Sequence, residues 1–256
     1  MAKRTHTKST LKAYDVDLAY IHDVGFGDFA AAAAHFLLEY LRAHGIHSAK
    51  IVELGCGSGI QAAVLSEAGY DILGYDISPA MVALSATRVP GGDFRCASFL
   101  DAEIPACGVV TGVGEVFNYM FDERNSLAGL KKLFRRVYGA LEPGGIFLFD
   151  VALVGRIPGD QRRTYTEEDG WACLYEGQED QQRKSLTRHI TTFRRDGDVY
   201  RRDEEVHRLR TYDRDELLAP LRQTGFRVRT LRGYDELAFP PGYLAFLCTK
   251  PRGIRA

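Results

Sequence analysis

The chain is poor in the features that mark specialised classes. Its 256 residues hold five cysteines, at 56, 96, 107, 173 and 248, and no two form a CxxC pair. That scatter argues against zinc, a redox dithiol or a disulfide framework; buried free thiols are the expectation, and no metal is expected. Long apolar runs are missing. Ala30–Leu38 and Gly145–Val154 are the longest candidates, and both fall short of the roughly 20 residues that cross a bilayer. No apolar stretch follows the basic segment Met1–Lys12, so a signal peptide is not expected and a cytoplasmic location is. Charge excess is missing as well: 33 Lys and Arg against 34 Asp and Glu leave a net of -1, without the basic footprint of a nucleic-acid binder. What remains is ordinary globular composition, 45% hydrophobic and 26% charged, which suits one large domain with a small insertion.

Residues 1–13 read as a polar tail, and 14–27 as a segment of aromatics and acids ending in Gly25-Phe26-Gly27. A helix is predicted from Asp28, as N-cap, to His44, with Ala31, Ala34, Leu38 and Leu41 on its apolar face. Strands and helices then alternate. Strands are predicted at Lys50–Leu54, Asp71–Tyr75, Asp93–Cys96, Val109–Val113 and Ile146–Val151, the last read as apolar and buried on both faces. Helices are predicted at Ile60–Ala68, after Ser78-Pro79, and at Asn125–Leu141, with a turn at Glu142-Pro143-Gly144-Gly145. This alternation implies a parallel sheet covered by helices. From about 162 to 211 the text is charged and strand-like, and Asp196-Gly197 marks a hairpin in an inserted antiparallel sheet. A helix at Asp213–Thr224 and strands at Phe226–Leu231 and Tyr243–Thr249 close the chain, the last two as an antiparallel pair.

The sharpest signal is Val52-Glu53-Leu54-Gly55-Cys56-Gly57-Ser58-Gly59, a strand running through three glycines into a helix. Glycine permits the tight bend and lets a ligand touch the main chain. Seventeen residues after Gly59, at the end of the second strand, stands Asp76, placed to take both hydroxyls of a ribose. A dinucleotide fingerprint would be GxGxxG; here the third glycine comes one position early. Glu53, two residues before the first glycine, repels a pyrophosphate and attracts an ammonium group. The charge pattern therefore favours an adenosyl amino acid over NAD.

Glu53-x-Gly55-x-Gly57-x-Gly59, followed by Gly74-Tyr75-Asp76-Ile77-Ser78, resembles the class I S-adenosylmethionine-dependent methyltransferases. The resemblance spans roughly 48–155 and 213–250. It implies an α/β, Rossmann-like seven-stranded sheet, mostly parallel with an antiparallel last strand, and S-adenosylmethionine as cofactor at the C-terminal strand edge. It also implies roles. Gly55, Cys56, Gly57 and Gly59 would pass along the methionine moiety, and Glu53 would hold its amino end. Asp76 would take the ribose, Ile77 and Phe99 would pack on adenine, and Ser98 would stand at the adenine edge, where many members carry Asp. Gly114 and Glu115 would lie beneath the sulfonium.

The segment from Tyr14 to Phe29 is similar to the cap of small-molecule methyltransferases, which implies Tyr14 or Tyr20 at the methionine carboxylate and His22 facing the substrate. Packing of the cap is the alternative for each. The insertion resembles those of glycine and aminosugar N-methyltransferase-like enzymes, where the sheet roofs the pocket or builds a homodimer. Its arginines at 194, 195, 201 and 202 suit a solvated sheet or a phosphate site, and His189 and His207 suit surface or cross-strand positions. Asn118-Tyr119 lacks the two prolines of DNA amino-methyltransferases. The organisation expected is a tail and helical cap at 1–47, a cofactor-binding core at 48–155 and 212–256, and an antiparallel lid at 156–211. Methyl transfer to a small-molecule N or O nucleophile is the activity implied, with His22 or Glu115 as proton acceptor. A cofactor-binding domain without catalysis fits the same residues.

Overall fold

The structure, a computed structural model, describes residues 12–252; most of the polar tail expected at 1–13, and residues 253–256, lie outside them. Two helices, α1 (Val16–Gly25) and α2 (Asp28–Ala43), precede the alternating core of β1 (Lys50–Leu54), α3 (Ile60–Glu67), β2 (Asp71–Asp76), α4 (Pro79–Arg88), β3 (Asp93–Cys96), β4 (Cys107–Gly112), α5 (Leu127–Ala140) and β5 (Leu141–Ala152). Four strands follow: β6 (Gln161–Glu168), β7 (Trp171–Asp180), β8 (Ser185–Asp196) and β9 (Val199–Arg210). The chain closes with α6 (Arg214–Thr224), β10 (Arg227–Leu231), a two-residue pair β11 (Gly233–Tyr234) and β12 (Leu237–Ala238), and β13 (Tyr243–Thr249).

Seven strands form the main sheet in the order β10-β13-β5-β4-β1-β2-β3. β13 runs antiparallel to both neighbours, whereas the β1, β2, β3, β4 and β5 pairings are parallel. The chain steps outward from β1 to β2 and β3, then returns to the other side of β1 with β4. Strand order reverses there, and ligands of open α/β sheets bind at that reversal, beyond the C-terminal strand ends. One face of the sheet buries Phe117, Phe134, Phe147, Phe149 and Phe246 against α5 and α6. The other buries Leu37, Leu41, Ile51, Leu65 and Leu148 against α2 and α3. Each such side chain contributes about 2 kcal/mol of transfer free energy. No helix among the described residues is long and apolar enough to cross a membrane.

Local chemistry explains the element ends. The Ser78 hydroxyl accepts from the Met81 amide at 3.1 Å, with Pro79 as first helical residue of α4. Asp213 and Glu216 form a reciprocal capping box on α6, and Gly225 ends that helix at φ 109°. The hairpin forms where Asp196-Gly197 predicts it, with Asp196 opposite Val199 in a four-stranded antiparallel sheet β6-β7-β8-β9.

Several expectations need correcting. The 16–25 stretch is helical, because Asp15 caps it and Leu18, Ala19 and Ile21 share a buried side. Gly27, not Asp28, is the N-cap of α2, and Ala31 is only half-buried on it. The 142–145 segment is not a separate turn but an irregularity inside β5, where the register with β4 shifts between Cys107 and Val109. β5 is also not apolar throughout, since Asp150 is fully buried in it.

The turn after β1 is tightly packed. Gly59 sits at φ 79°, and a Cβ there would stand 2.9 Å from the Ser85 Cα of α4. Left-handed strain and the backbone clash together are expected to make Gly59→Ala less stable by about 2–4 kcal/mol in urea denaturation; unchanged stability would show that α3 and α4 are free to separate.

Candidate active site

A cavity of about 480 Å³ opens at the reversal point, within the usual size range for a small-molecule site. Its floor is the β1 turn. Glu53, next to last in β1, is buried, and neither carboxylate oxygen has a hydrogen-bond partner. Burial pushes its carboxyl up to about 8. Thr111 lies opposite Glu53 in the β1–β4 register, and its hydroxyl donates to Gln61 Oε1 at 3.0 Å. The other end of the Gln61 amide, Nε2, is buried without a partner. An orphaned acceptor and an orphaned donor thus belong to two residues that line the same cavity. Orphans of this kind are costly in a folded protein, and they match the ammonium and carboxylate of an amino acid.

Asp76 ends β2 and braces the turn. Its Oδ2 accepts from the Gly57 amide at 2.9 Å and its Oδ1 from the Ser78 amide at 2.8 Å. Each oxygen keeps lone-pair capacity for a diol. Burial raises the Asp76 carboxyl, against the pull of these amides. Gly57 at φ 54° and Gly114 at φ 93° both line the cavity, and a Cβ on either would meet nothing within 4 Å. That open cradle lets a ligand approach the bare main chain. Gly55 differs: a Cβ there would strike the Val116 side chain at 2.5 Å. Cys56 lies between them, buried, with its Sγ 3.9 Å from Ser85 Oγ. Ile77, Ser98 and Phe99 line the far end, with Phe99 edge-on to Phe117 at 5.2 Å. Position 98 carries no acid, but a carboxylate from another segment lines the same cavity. Asp122 lines the cavity, and Arg124, with help from the Ser98 hydroxyl, holds its carboxyl down to about 2 against burial.

The roof comes from α1 and the inner face of the second sheet, where Thr164, Tyr175, Ile190 and Glu205 lie in register across four strands. Tyr14 lines the cavity at φ 52°, its hydroxyl 2.7 Å from that of Tyr119. Its main chain is fixed from two sides: Glu205 accepts the Tyr14 and Asp15 amides, and the Ser78 hydroxyl donates to the Tyr14 carbonyl. His22 lines the cavity edge-on to Tyr14 at 5.2 Å, and burial pushes it down to about 4. Tyr20 does not join them. Its ring lies 3.7 Å from the Arg194 guanidinium, in the α1 contact with the sheet.

Glu115 is buried at φ 59°, and its carboxylate is shared by two guanidiniums. Arg156 Nε donates to Oε1 at 3.0 Å, and Arg188 Nη2 donates to Oε2. Burial alone would raise this carboxyl, but Arg188 and Arg156 outweigh it and hold it below the usual range. The strained turn at 114–115 rests on Asp150, which accepts from both amides and from the Tyr234 and Tyr243 hydroxyls at 2.6–3.2 Å.

Sequence reasoning missed Gln61, Tyr119, Asp122, Asp150, Arg156 and Arg188. A signal existed for Asp150, an acid inside an otherwise apolar strand; the others depend on tertiary placement. His207, expected at the surface or as a cross-strand residue, stands across from Arg188 and is fully buried, with Nε2 2.7 Å from Glu205 Oε2. His189 is exposed. Arg194 and Arg201 both bond Asp17 of α1, so they tie the roof together and are not available as an anion site. Arg202 pairs with Glu204, and Arg195 reaches Asp169 and Tyr200.

Residues 52–149 match the methyltransferase domain family. A protein of Geobacillus sp. (strain WCH70), named as a methyltransferase without a stated substrate, is 27% identical over 206 residues, covering 75% of this chain and 80% of its own length. Among solved structures, an S-adenosylmethionine-dependent methyltransferase from Clostridium acetobutylicum ATCC 824 superposes with a TM-score of 0.76 at 20% identity, over 92% of this chain and 98% of that one. The sugar N-methyltransferase KedS8 from Streptoalloteichus sp. ATCC 53650 does so with a TM-score of 0.74 at 19% identity, over 98% of both chains. At these identities the two structures share the fold.

The unpartnered Glu53 has a consequence for stability. Between its ordinary value of 4.5 and about 8, the folded state keeps a proton that the unfolded chain releases. Stability from this group is full below 4.5 and is lost as pH rises towards 8. Glu53→Gln should therefore flatten the stability–pH curve of the ligand-free protein over that window and raise its melting temperature at the alkaline end. Parallel curves for the two proteins, followed by calorimetry, would contradict the burial of an uncompensated acid.

Proposed function

We propose that this chain, a class I S-adenosylmethionine-dependent methyltransferase, moves a methyl group to a small-molecule nitrogen or oxygen nucleophile by in-line displacement. The observation that carries this reading is the single cavity joining the β1 turn, with its orphaned Glu53 and Gln61, to the inner face of the inserted sheet. One end suits the cofactor and the other an acceptor of modest size. The sugar N-methyltransferase among the similar folds supports a small-molecule acceptor. On this reading residues 1–47 form a tail and cap, 48–155 and 212–256 the core, and 156–211 the lid.

Asp76 would hold the ribose diol, Glu53 the ammonium, and Gln61 Nε2 the carboxylate, with Gly57 and Gly114 leaving the main chain bare against the ligand. Ile77 and Phe99 would flank the adenine, and Ser98 with Asp122 would face its edge. When bound, S-adenosylmethionine supplies an electrophilic methyl group whose bonding pair to sulfur leaves on sulfur. The chain's own task is then positioning. Tyr14, Tyr119 and the lid hold the acceptor in line and exclude water, and orientation of this kind lowers a barrier by several kcal/mol. The bond network around Tyr14 gives it little freedom, which suits that work.

A hydroxyl acceptor must also lose a proton. His22 is neutral at pH 7 and can accept one, whereas the Glu115 carboxylate is engaged by two arginines and is the poorer acceptor. His22→Asn should lower kcat about 100-fold for a hydroxyl acceptor and only a few-fold for an amine, with cofactor affinity unchanged. The acceptor comes from a methyl-transfer screen of amines, hydroxyls and carboxylates. An unchanged kcat with a hydroxyl acceptor removes His22 from the reaction, and a screen without product favours a non-catalytic cofactor-binding domain.

The lid's outer face exposes Tyr165 and Leu174, which lie opposite each other on β6 and β7, and these support a homodimer through the inserted sheet. Sedimentation velocity should show a dimer that Tyr165→Glu converts to monomer; a monomeric parent protein would rule this assembly out.

A further inference from the structure

The acceptor end of the cavity has an unbalanced charge. Two guanidiniums, Arg156 and Arg188, converge on one carboxylate, Glu115, and all three line the cavity. Asp150, one layer behind, does not line it and is occupied by main-chain amides and two tyrosine hydroxyls. The remaining cavity acids stand at the cofactor end, where Glu53 is orphaned, Asp76 holds main-chain amides and Asp122 is paired with Arg124. A third cation, Arg162, stands on the exposed edge strand at the cavity mouth, in the same cross-strand row as Arg188.

Arg156 keeps its terminal donors in reserve, whereas both terminal nitrogens of Arg188 are engaged. Arg188 Nη1 reaches the Tyr119 hydroxyl at 3.0 Å, but its Nε is buried without a partner. Arg156 bonds Glu115 through Nε alone, so among the described residues its two terminal nitrogens have no hydrogen-bond partner. Aromatic rings fix the planes: the Arg156 guanidinium lies 5.3 Å from the Tyr243 ring and that of Arg188 5.7 Å from Tyr119. A guanidinium held in place with a free terminal fork is built to accept two oxygens of a planar or tetrahedral anion. The cofactor does not need that charge if its carboxylate is met by Gln61.

We infer that the methyl acceptor is an anion, an amine or alcohol that also carries a carboxylate or phosphate group, and that the free fork of Arg156, in the field of the neighbouring Arg188, holds this group at the inserted sheet. The inference rests on the proposed small-molecule methyl transfer and names the acceptor's chemical class. Binding the anion would complete the charge balance of the Glu115 cluster.

The test uses the full chain in two steps. S-adenosylhomocysteine is titrated first by calorimetry. Acetate, inorganic phosphate and methylammonium are then titrated separately into the loaded protein, with sodium chloride at matched ionic strength as control. The expected result is saturable binding of acetate, phosphate or both, about tenfold or more tighter than methylammonium. Preference for acetate identifies a carboxylate acceptor, and preference for phosphate a phosphorylated one. Arg156→Met should weaken the anion about tenfold and leave S-adenosylhomocysteine affinity within about threefold, while Arg156→Lys should restore part of the loss. Arg156 is preferred to Arg188 for substitution because it is less enclosed. Anions that bind no better than the chloride control, or an Arg156→Met variant that loses S-adenosylhomocysteine instead, would overturn the inference. Failure of S-adenosylhomocysteine to bind the parent protein would bring down the cofactor reading beneath it, and is seen in the first step alone.

Discussion

A carboxylate sealed under the sheet edge with nothing to bond is the constraint around which this molecule is arranged. Removing Glu53 from water and giving it no partner is costly, and the chain tolerates it because the penalty is met by neutralising the acid until a cation arrives. The Gln61 amide, anchored at one end and idle at the other, poses the complementary demand. Together they make the ligand-free floor incomplete in a way that one zwitterionic tail satisfies. The glycine turn follows from the same need, because a ligand that reaches this floor must pass against bare main chain.

The roof is held by a small apolar cluster and by ion pairs. Asp17 on α1 is gripped by Arg194 and Arg201, which hold its carboxyl below the usual range. Lys12 reaches Asp203, and Glu205 accepts two amides at the start of α1. The apolar part is a small cluster of Leu18, Ile21, Trp171, Cys173 and Ile190. Partly exposed ion pairs are weak individually. The buried apolar cluster therefore carries the larger share of the cap's attachment.

What could be read from the sequence was local. The glycine spacing, Asp76 and the Ser78-Pro79 cap all depend on residues within one βαβ unit, and β1, β3 and β13 begin and end where the apolar pattern places them. The Asp196-Gly197 hairpin is equally local. The acceptor side was not legible, because Arg156, Arg188 and Glu115 are separated by up to 73 positions and meet only when the inserted sheet folds over β4. The arginines that stand out as a run, at 194–195 and 201–202, face the cap or solvent instead. Asp150 was legible in principle, as an acid inside an otherwise apolar strand. His207 was missed because alternation along a charged strand does not reveal that one face is covered by Tyr14 and Phe121.

The most direct measurement is a crystal structure of the complex with S-adenosylhomocysteine. The account predicts the ribose diol on Asp76, the amino group on Glu53 and the carboxylate against Gln61, so that the floor's unpaired donor and acceptor are both satisfied. A complex in which Glu53 and Gln61 still lack polar partners, or in which the nucleoside lies away from the β1 turn, would contradict it.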